Sequence, residues 1–161
     1  MIMKKLLALI ILTASFSLSS KEITSVTVKK SERKLVVTQN GVNILELKIS
    51  LGFNPDGNKL QEGDGKTPEG EYKLDYLIND WEYYKAFHIS YPKVDQIKKA
   101  KENGVNPGGG ILIHGMQTKW NWIGKLHTFW DWTHGCIAVT NEQMDKLIEI
   151  VPVGSKIIIE P

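Results

Sequence analysis

The residues most capable of chemistry are the chain's single cysteine, Cys136, and two histidines, His114 and His134. A thiol becomes a strong nucleophile only as a thiolate, which requires a nearby imidazole or another cationic influence. His134 lies two residues before Cys136 and would share its sheet face in a regular strand. His114 ends an apolar run and precedes Gly115, a residue that allows close approach of the backbone to a site. Either histidine could therefore activate the thiol for nucleophilic catalysis.

The residue directly before the cysteine, Gly135, permits backbone conformations that other residues avoid. The backbone amides of Gly135 and Cys136 are therefore candidates to face a developing oxyanion. A zinc site is the chemical alternative, with His127 as a further ligand beside the thiol and the two histidines. However, no Cys-x2-Cys, His-x3-His or His-Glu-x-x-His spacing is present. We therefore expect no metal and no cofactor, and we interpret His127, like His88, as a surface or packing residue.

The elements that must position these residues are short strands. An Asn-Gly pair at residues 40–41 lies between two β-rich runs and is a strong signal for a two-residue hairpin. Residues 52–70 are rich in Gly, Asp, Asn and Pro, as loops are. Strands are predicted at residues 23–29, 34–39, 42–49, 71–77, 86–90, 111–114, 136–139 and 156–159.

Two helices complete the predicted domain. Residues 92–102 are polar, with Pro92 in the first turn and Gly104 beyond the end. The second helix is clearer, because Thr140 and Gln143 have the spacing of a capping box. Its apolar residues follow at helical intervals and form one stripe: Met144, Leu147, Ile148 and Val151. The fold class predicted is therefore mainly β with two helices.

The first 19 residues have the order of segments found in a secretory signal: Lys4 and Lys5, an apolar run at 6–12, and small residues at 17–20. The apolar run is shorter than the roughly 20 residues that a membrane-spanning helix needs, so we expect no stable membrane anchor. Residues 20–161 would form the domain exported across the inner membrane to the periplasm or cell envelope.

The charge balance and the cysteine count limit which classes of binding partner are expected. Without residues 1–19, 18 basic and 18 acidic residues remain, so no basic surface argues for nucleic acid. A lone cysteine in an oxidising compartment either is reactive, pairs between molecules, or is buried as a small apolar residue. Nothing in the sequence indicates an oligomeric state.

Several motifs together resemble the catalytic domain of the L,D-transpeptidase (YkuD) family. His114-Gly115 is followed by Thr-His-Gly-Cys-Ile at residues 133–137 and by Asn141. Residues 63–70, Gly-Asp-Gly-Lys-Thr-Pro-Glu-Gly, are similar to the family's Thr-Pro-x-Gly loop. Residues 151–159 are similar to its closing helix-to-strand segment. The resemblance extends over residues 23–160.

The resemblance implies a β-sandwich-like fold and a cysteine–histidine site for acyl transfer. Cys136 would attack a peptide carbonyl and form a thioester, and His114 would act as general base and then as general acid. The carbonyl of Gly115 would orient the imidazole, in place of a carboxylate. His134 and Gly135 would shape the nucleophile turn and the oxyanion site.

Two features of the chain depart from the family pattern. Many members carry arginine two residues after the cysteine, where this chain has Ala138, and the interval from His114 to Thr133 is slightly longer than usual. Together with Tyr-Tyr-Lys at 83–85 ahead of His-Ile-Ser-Tyr-Pro at 88–92, these features look closer to the YafK-like branch. That branch includes enzymes that hydrolyse as well as transpeptidate.

The connection at residues 116–132, the aromatic segment, contains four of the five tryptophans. Two interpretations stay open: the rings pack under a long loop, or they form a lid over the thiol that grips a peptide or a sugar. Trp130, Trp132 and Tyr84 are the predicted substrate-binding residues. Asp131 is expected to serve hydrogen bonding within the lid.

The resemblance implies a peptidoglycan L,D-transpeptidase whose partners are stem peptides. A tetrapeptide stem would acylate the cysteine and pass to an amine acceptor. With water as acceptor, the same site would act as an L,D-carboxypeptidase or amidase. A non-catalytic wall-binding domain, which keeps the fold without turnover, is the alternative from another class.

Overall fold

The computed structural model describes residues 24–161, so the predicted export signal and its cleavage point lie outside the described residues. Within that range eight strands, two α-helices and one 3-10 helical segment follow one another. They are β1 (Thr24–Lys29), β2 (Lys34–Gln39), β3 (Val42–Lys48), β4 (Gly70–Trp81), β5 (Tyr84–Ile89), α1 (Val94–Glu102), β6 (Leu112–His114), the 3-10 segment (Thr118–Phe129), β7 (Ile137–Ala138), α2 (Asn141–Ile150) and β8 (Lys156–Glu160).

The eight strands of the described range form one sheet in the order β3-β2-β1-β8-β4-β5-β6-β7. Strands β1 and β8 are parallel, as are β6 and β7, and the other neighbours are antiparallel. Strands β3 and β7 are the two edges of the sheet. Two isolated bridges, Ser50–Ala138 and Gly52–Thr133, connect the chain that follows β3 to the region of β7. The sheet therefore curls until its edges approach each other. The predicted mainly β fold class is confirmed.

Local signals in the sequence position two elements as expected. Asn40 and Gly41 have φ values of 48° and 82°, and two positive φ values are what a tight two-residue hairpin requires. At the start of α2, the amide of Gln143 donates to Thr140 Oγ1 at 3.2 Å, and the amide of Thr140 donates to Gln143 Oε1 at 2.9 Å. The predicted capping box is confirmed.

One continuous core fills the curled sheet. Strand β1 alternates between buried and half-buried residues, with Val26 and Val28 pointing inward. Helix α2 closes the core with the predicted apolar stripe, in which Met144, Leu147 and Val151 are buried and Ile148 is half-buried. Burial of this stripe against the sheet holds α2 beside β5 and the residues that follow β7.

Two helical features differ from the prediction. Helix α1 begins at Val94 rather than with Pro92 in its first turn, because Lys93 is extended and its amide donates to Gln96 Oε1 at 2.8 Å. The aromatic segment is not an irregular loop but contains the 3-10 helical segment, interrupted at Gly124, where φ is 53° and ψ is −136°. No helix within residues 24–161 is both long and apolar enough to cross a membrane.

Candidate active site

The pairing of β6 with β7 brings the predicted nucleophile and base together. The two parallel strands pair Ile113 with Ile137 and His114 with Ala138. Cys136 directly precedes β7, and His114 is the last residue of β6. Both side chains line a cavity of about 200 Å³, the catalytic cavity, whose other lining residues are Tyr83, Trp132, Thr133 and His134.

The imidazole of His114 is oriented by its own backbone neighbour. Its Nδ1 lies 2.6 Å from the carbonyl oxygen of Gly115, and since a carbonyl can only accept, Nδ1 carries the proton. Burial lowers the pKa of His114 to about 4, against the opposing effect of the Gly115 carbonyl. The ring is therefore neutral at pH 7, with Nε2 as the basic nitrogen. This is the tautomer that a general base requires.

The thiol of Cys136 is also neutral in this structure. Burial raises its pKa to about 11, while a hydrogen bond from the Leu112 amide and the positive charge of Lys59 act in the opposite direction. Its Sγ lies 3.7 Å from the carbonyl oxygen of Gly110, to which the S–H donates. At pH 7 the thiol and the imidazole are thus both in their neutral forms.

The turn before the nucleophile is held by Thr133 and shaped by Gly135. The Thr133 hydroxyl donates to the Cys136 carbonyl at 2.7 Å and accepts from the Gly135 amide at 3.1 Å. Gly135 has a φ of 123°, and a Cβ there would lie 2.6 Å from the carbonyl oxygen of Lys66. Glycine is therefore required for both conformation and space. Since the Gly135 amide already bonds Thr133, it does not point freely at an oxyanion position.

His134 lies at the rim of the catalytic cavity rather than against the thiol. Its side chain is exposed, and its ring packs edge-on against Phe53 with centroids 5.6 Å apart. Phe53 is in turn placed by a hydrogen bond from its amide to the Thr133 carbonyl at 2.9 Å. This position fits a supporting role for His134, such as contact with substrate at the entrance.

The glycine-rich loop at residues 63–70 forms the floor behind the nucleophile turn. The carboxylate of Asp64 organises it by accepting from the amides of Leu60 and Lys66 at 2.8 and 3.0 Å and by pairing with Lys59 Nζ at 2.8 Å. Thr67, fully buried, accepts from the Gly52 amide at 3.2 Å. The motif that carried part of the family resemblance thus packs directly against the turn that holds the thiol.

Asn141, the first residue of α2, holds the chain beyond His114. Its Oδ1 accepts from the Met116 amide at 2.6 Å in a buried contact. A Cβ on Gly115 would lie 2.5 Å from the same oxygen, so glycine is required for this approach. Asn141 therefore fixes the Gly115 carbonyl that orients the imidazole. The sequence placed Asn141 in a motif but did not predict this contact.

The three predicted substrate-binding residues do not lie together in the structure. Trp132 lines the catalytic cavity, and Trp130, half-exposed, lines the neighbouring pocket. Tyr84 lines neither, because its hydroxyl donates to the Asp145 carboxylate on α2 at 2.9 Å. The adjacent Tyr83 lines both cavities instead and lies 4.9 Å from the His114 ring, centroid to centroid. Tyr83 lies in the turn between β4 and β5, and Tyr84, with a φ of 72°, begins β5, so the two rings leave this turn towards different surroundings.

The side chains of the described range offer no ready metal site. Within residues 24–161, no group of three or more His, Cys, Asp or Glu side chains is arranged to hold an ion.

Comparison with known proteins assigns the family. The model of the YkuD family, described as the L,D-transpeptidase catalytic domain, matches residues 23–159. This chain belongs to that family. Family membership makes it a catalytic domain of the L,D-transpeptidase class of enzymes. A comparison with curated protein sequences found no significant match.

Solved structures share this L,D-transpeptidase fold. The helical cell shape determining protein Pgp2 from Campylobacter jejuni is 30% identical, with a TM-score of 0.67 over 86% of this chain and 48% of that chain. Bd1075 from Bdellovibrio bacteriovorus is 25% identical, with a TM-score of 0.58 over 84% and 46%. The L,D-transpeptidase from Xylanimonas cellulosilytica, at 15% identity, has a TM-score of 0.57 over 88% and 62%. This chain thus spans about half the length of Pgp2 and Bd1075.

At the position where many L,D-transpeptidases carry arginine, this chain has a buried alanine. Ala138 is fully buried in β7, where its amide and carbonyl pair with Ser50. The chain's arginine, Arg33, instead donates to Asp131 Oδ2 from Nε at 3.0 Å, and Asp131 Oδ1 accepts from the Leu51 amide at 2.8 Å. Arg33 therefore anchors the end of the aromatic segment and does not line the catalytic cavity. Asp131 was expected to serve hydrogen bonding within the lid, but these partners lie outside the aromatic segment.

Proposed function

We propose that this domain transfers the acyl group of a peptidoglycan tetrapeptide stem through a thioester on Cys136. The observation that carries the proposal is that Cys136, directly before β7, and His114, at the end of the paired strand β6, line one cavity. The Gly115 carbonyl supports it further, because it leaves His114 Nε2 as the basic nitrogen. The family assignment supports the class of substrate.

The proposed reaction has two halves. In the first, His114 Nε2 takes the thiol proton, and Cys136 Sγ attacks the carbonyl of the diamino acid at its bond to the terminal D-residue. The S–C bond forms, the C–N bond breaks, and the imidazolium returns the proton to the leaving amine. In the second, an acceptor amine loses a proton to His114 and attacks the thioester, and the sulfur leaves as thiolate and is reprotonated.

Incubation of the protein with purified disaccharide tetrapeptides, with products read by mass, tests the reaction. A cross-linked dimer would identify an amine acceptor and transpeptidation, whereas a stem shortened by one residue would identify water and carboxypeptidase activity. Cys136→Ala should give neither product. Product formed by Cys136→Ala at the wild-type rate would exclude the thioester route. Binding of stems without any product from the wild type would favour the non-catalytic wall-binding alternative.

A second test addresses the reactivity of the thiol without the natural substrate. A carbapenem offers a strained amide, and we expect it to acylate Cys136 once His114 removes the thiol proton. Intact-protein mass spectrometry should show one adduct on the wild type and none on Cys136→Ala. A folded wild-type protein that forms no adduct would contradict an activated thiol.

The sequence also supports a location for this activity. We propose that residues 1–19 are a signal peptide and that residues 20–161 act in the periplasm or cell envelope. The mass of the protein recovered from the envelope fraction should correspond to a chain that begins near residue 20. Because Pgp2 is described as a helical cell shape determining protein, we further propose a role in cell shape, which deletion of the gene and microscopy of the cells would test.

A further inference from the structure

Beside the catalytic cavity lies a second cavity of about 240 Å³, the aromatic pocket. Its wall contains Tyr83, Gln117, Trp120, His127, Trp130 and Trp132, with two further apolar side chains. Tyr83 and Trp132 line both cavities, so the two are contiguous. No lining side chain carries a formal charge, since burial lowers the pKa of His127 to about 4, with a smaller contribution from His114. The pocket therefore suits an uncharged group.

Two rings that line this pocket each carry a buried polar atom without a hydrogen-bond partner in the described part of the chain. His127 Nε2 and Trp132 Nε1 are buried and make no hydrogen bond within residues 24–161. Buried polar atoms are nearly always paired, because an unmade hydrogen bond costs the full desolvation of the group. The two rings lie 6.5 Å apart, centroid to centroid, and are nearly perpendicular at 85°. Two such atoms on neighbouring rings indicate a polar group that enters from outside.

The hydrogen bonds of Ser50 determine which of the two atoms donates. Ser50 Oγ lies 2.9 Å from the carbonyl oxygen of His127 and 3.1 Å from its Nδ1. A carbonyl can only accept, so the single hydroxyl proton goes there and the hydroxyl oxygen must accept from Nδ1–H. His127 Nε2 is therefore an acceptor. The indole Nε1–H of Trp132 can only donate.

We propose that the aromatic pocket binds a secondary amide of the substrate next to the reacting bond. The amide N–H donates to His127 Nε2, and the amide carbonyl accepts from Trp132 Nε1–H. A secondary amide combines one donor and one acceptor without charge, and its flanking carbons pack on the aromatic rings. This inference rests on the proposed function, whose substrate carries such amides both in the stem peptide and in the N-acetyl groups of the glycan.

Entry of the amide requires a small outward movement of one ring, because both atoms are shielded from solvent in the unliganded structure. Trp130 is the most exposed ring in the wall of the pocket, at 54% of its surface, so its movement would disturb the fewest contacts. The pocket would thus close over the amide as the stem settles beside the thiol. Exclusion of water at that moment would strengthen both hydrogen bonds.

Binding without turnover is measured on full-length Cys136→Ala labelled with ¹⁵N in its five tryptophan indoles. The probes are a free stem tetrapeptide, the N-acetylated disaccharide without peptide, and that disaccharide after removal of its acetyl groups. We expect the Trp132 indole signal, assigned with Trp132→Phe, to move downfield with the tetrapeptide or with the acetylated disaccharide. The signal of Trp122, which is 77% exposed and lines neither cavity, should stay in place.

The three probes distinguish the source of the amide. A shift with the tetrapeptide alone assigns the pocket to the stem, and a shift that needs the acetyl groups assigns it to the glycan. If no probe moves the Trp132 signal while the wild type turns over disaccharide tetrapeptides, the inference is wrong and the proposed function stands. A shift without turnover by the wild type would retain the pocket and remove the proposed function.

Kinetics give a second, independent readout. His127→Phe keeps an aromatic ring of similar size but removes the acceptor, and we expect KM to rise about tenfold with kcat nearly unchanged. His127→Gln restores an acceptor and should recover part of that loss. Trp122→Ala is the matched control and should leave both constants near the wild-type values. Equal KM values for His127→Phe and Trp122→Ala in folded proteins would overturn the inference.

Discussion

His114 and His127 are both buried, and burial lowers the pKa of each imidazole to about 4. In each ring Nδ1 donates to an oxygen, which is the Gly115 carbonyl for His114 and the Ser50 hydroxyl for His127. Both rings are therefore neutral, with the lone pair on Nε2. The difference lies in the surroundings, because His114 shares the catalytic cavity with a thiol and His127 lines a pocket of aromatic rings.

This comparison shows how the fold assigns different chemistry to the same side chain. His114 ends a strand whose neighbour begins directly after Cys136, so its position is defined by sheet register. His127 lies in the 3-10 segment, and its position depends on a serine 77 residues earlier in the chain. A base next to a thiol drives proton transfer, whereas an acceptor among aromatic rings recognises a donor. Each assignment can be tested separately.

The largest expected effect is the difference in kcat/KM between a substitution of His114 and the same substitution of His127. His114→Gln removes the base and should lower kcat/KM for stem cleavage by about 10²–10⁴-fold. His127→Gln keeps an acceptor in the aromatic pocket and should lower kcat/KM less than about tenfold. Both rates are measured on the same muropeptide, with circular dichroism as the control for folding. Equal losses from the two substitutions would mean that the histidines do not have different roles.

The next effect concerns the support of His114 rather than the ring itself. Asn141→Ala leaves the buried Met116 amide without an acceptor and should lower the free energy of unfolding by about 1–3 kcal/mol. It also frees the Gly115 carbonyl, so kcat should fall about tenfold with KM nearly unchanged. Asn141→Asp keeps an oxygen at the same place and should restore part of kcat. Glu142→Ala, an exposed change one residue later in α2, is the control.

The turns, helices and strands that could be predicted from the sequence are those whose signals lie within a few residues. Asn40-Gly41 and the Thr140–Gln143 capping box act within a few residues, so their structures were predictable. Likewise, β6 and the residues after Cys136 were identified from apolar runs. Their parallel pairing was not predicted, because no local pattern specifies which strands meet. The alternation of strands and the stripe of α2 were sufficient for the mainly β fold class.

The contacts that sequence did not predict are those between residues far apart in the chain. Tyr84 was predicted to bind substrate, but its hydroxyl bonds Asp145, 61 residues later, and Tyr83 faces the catalytic cavity. The sequence showed two adjacent tyrosines and no means to tell their directions apart. His127 was interpreted as a surface or packing residue; it is fully buried, which agrees with packing, but its bond to Ser50 was not predicted. Neither contact has a counterpart in spacing or composition.

The free energy of unfolding at low pH should depend on both histidines, because the pKa of each is lowered by burial. Each folded-state pKa, about 4, lies below the ordinary value of 6.5, so the unfolded chain binds more protons between these pH values. The free energy of unfolding should therefore be highest above pH 6.5 and fall as pH drops towards 4, by up to about 1.4 kcal/mol per pH unit for each histidine. Urea unfolding of the wild type and of His127→Gln checks this, and the variant should show the weaker slope. Identical slopes would mean that His127 is not buried as a neutral ring.

The smallest expected effect concerns the anchor of the aromatic segment. Asp131→Asn keeps an acceptor for the Leu51 amide but removes the charge that pairs with Arg33 at 2.8 Å. Because the Arg33 side chain is 30% exposed, the loss should be only about 0.5–1 kcal/mol in the free energy of unfolding. High salt screens this pair, so the difference between wild type and variant should shrink in salt. We expect kcat, which depends on His114, to stay unchanged. KM should rise slightly, because Asp131 holds the wall of the aromatic pocket and not the base. A fall in kcat with constant KM would mean instead that the two histidines are mechanically coupled through the aromatic segment.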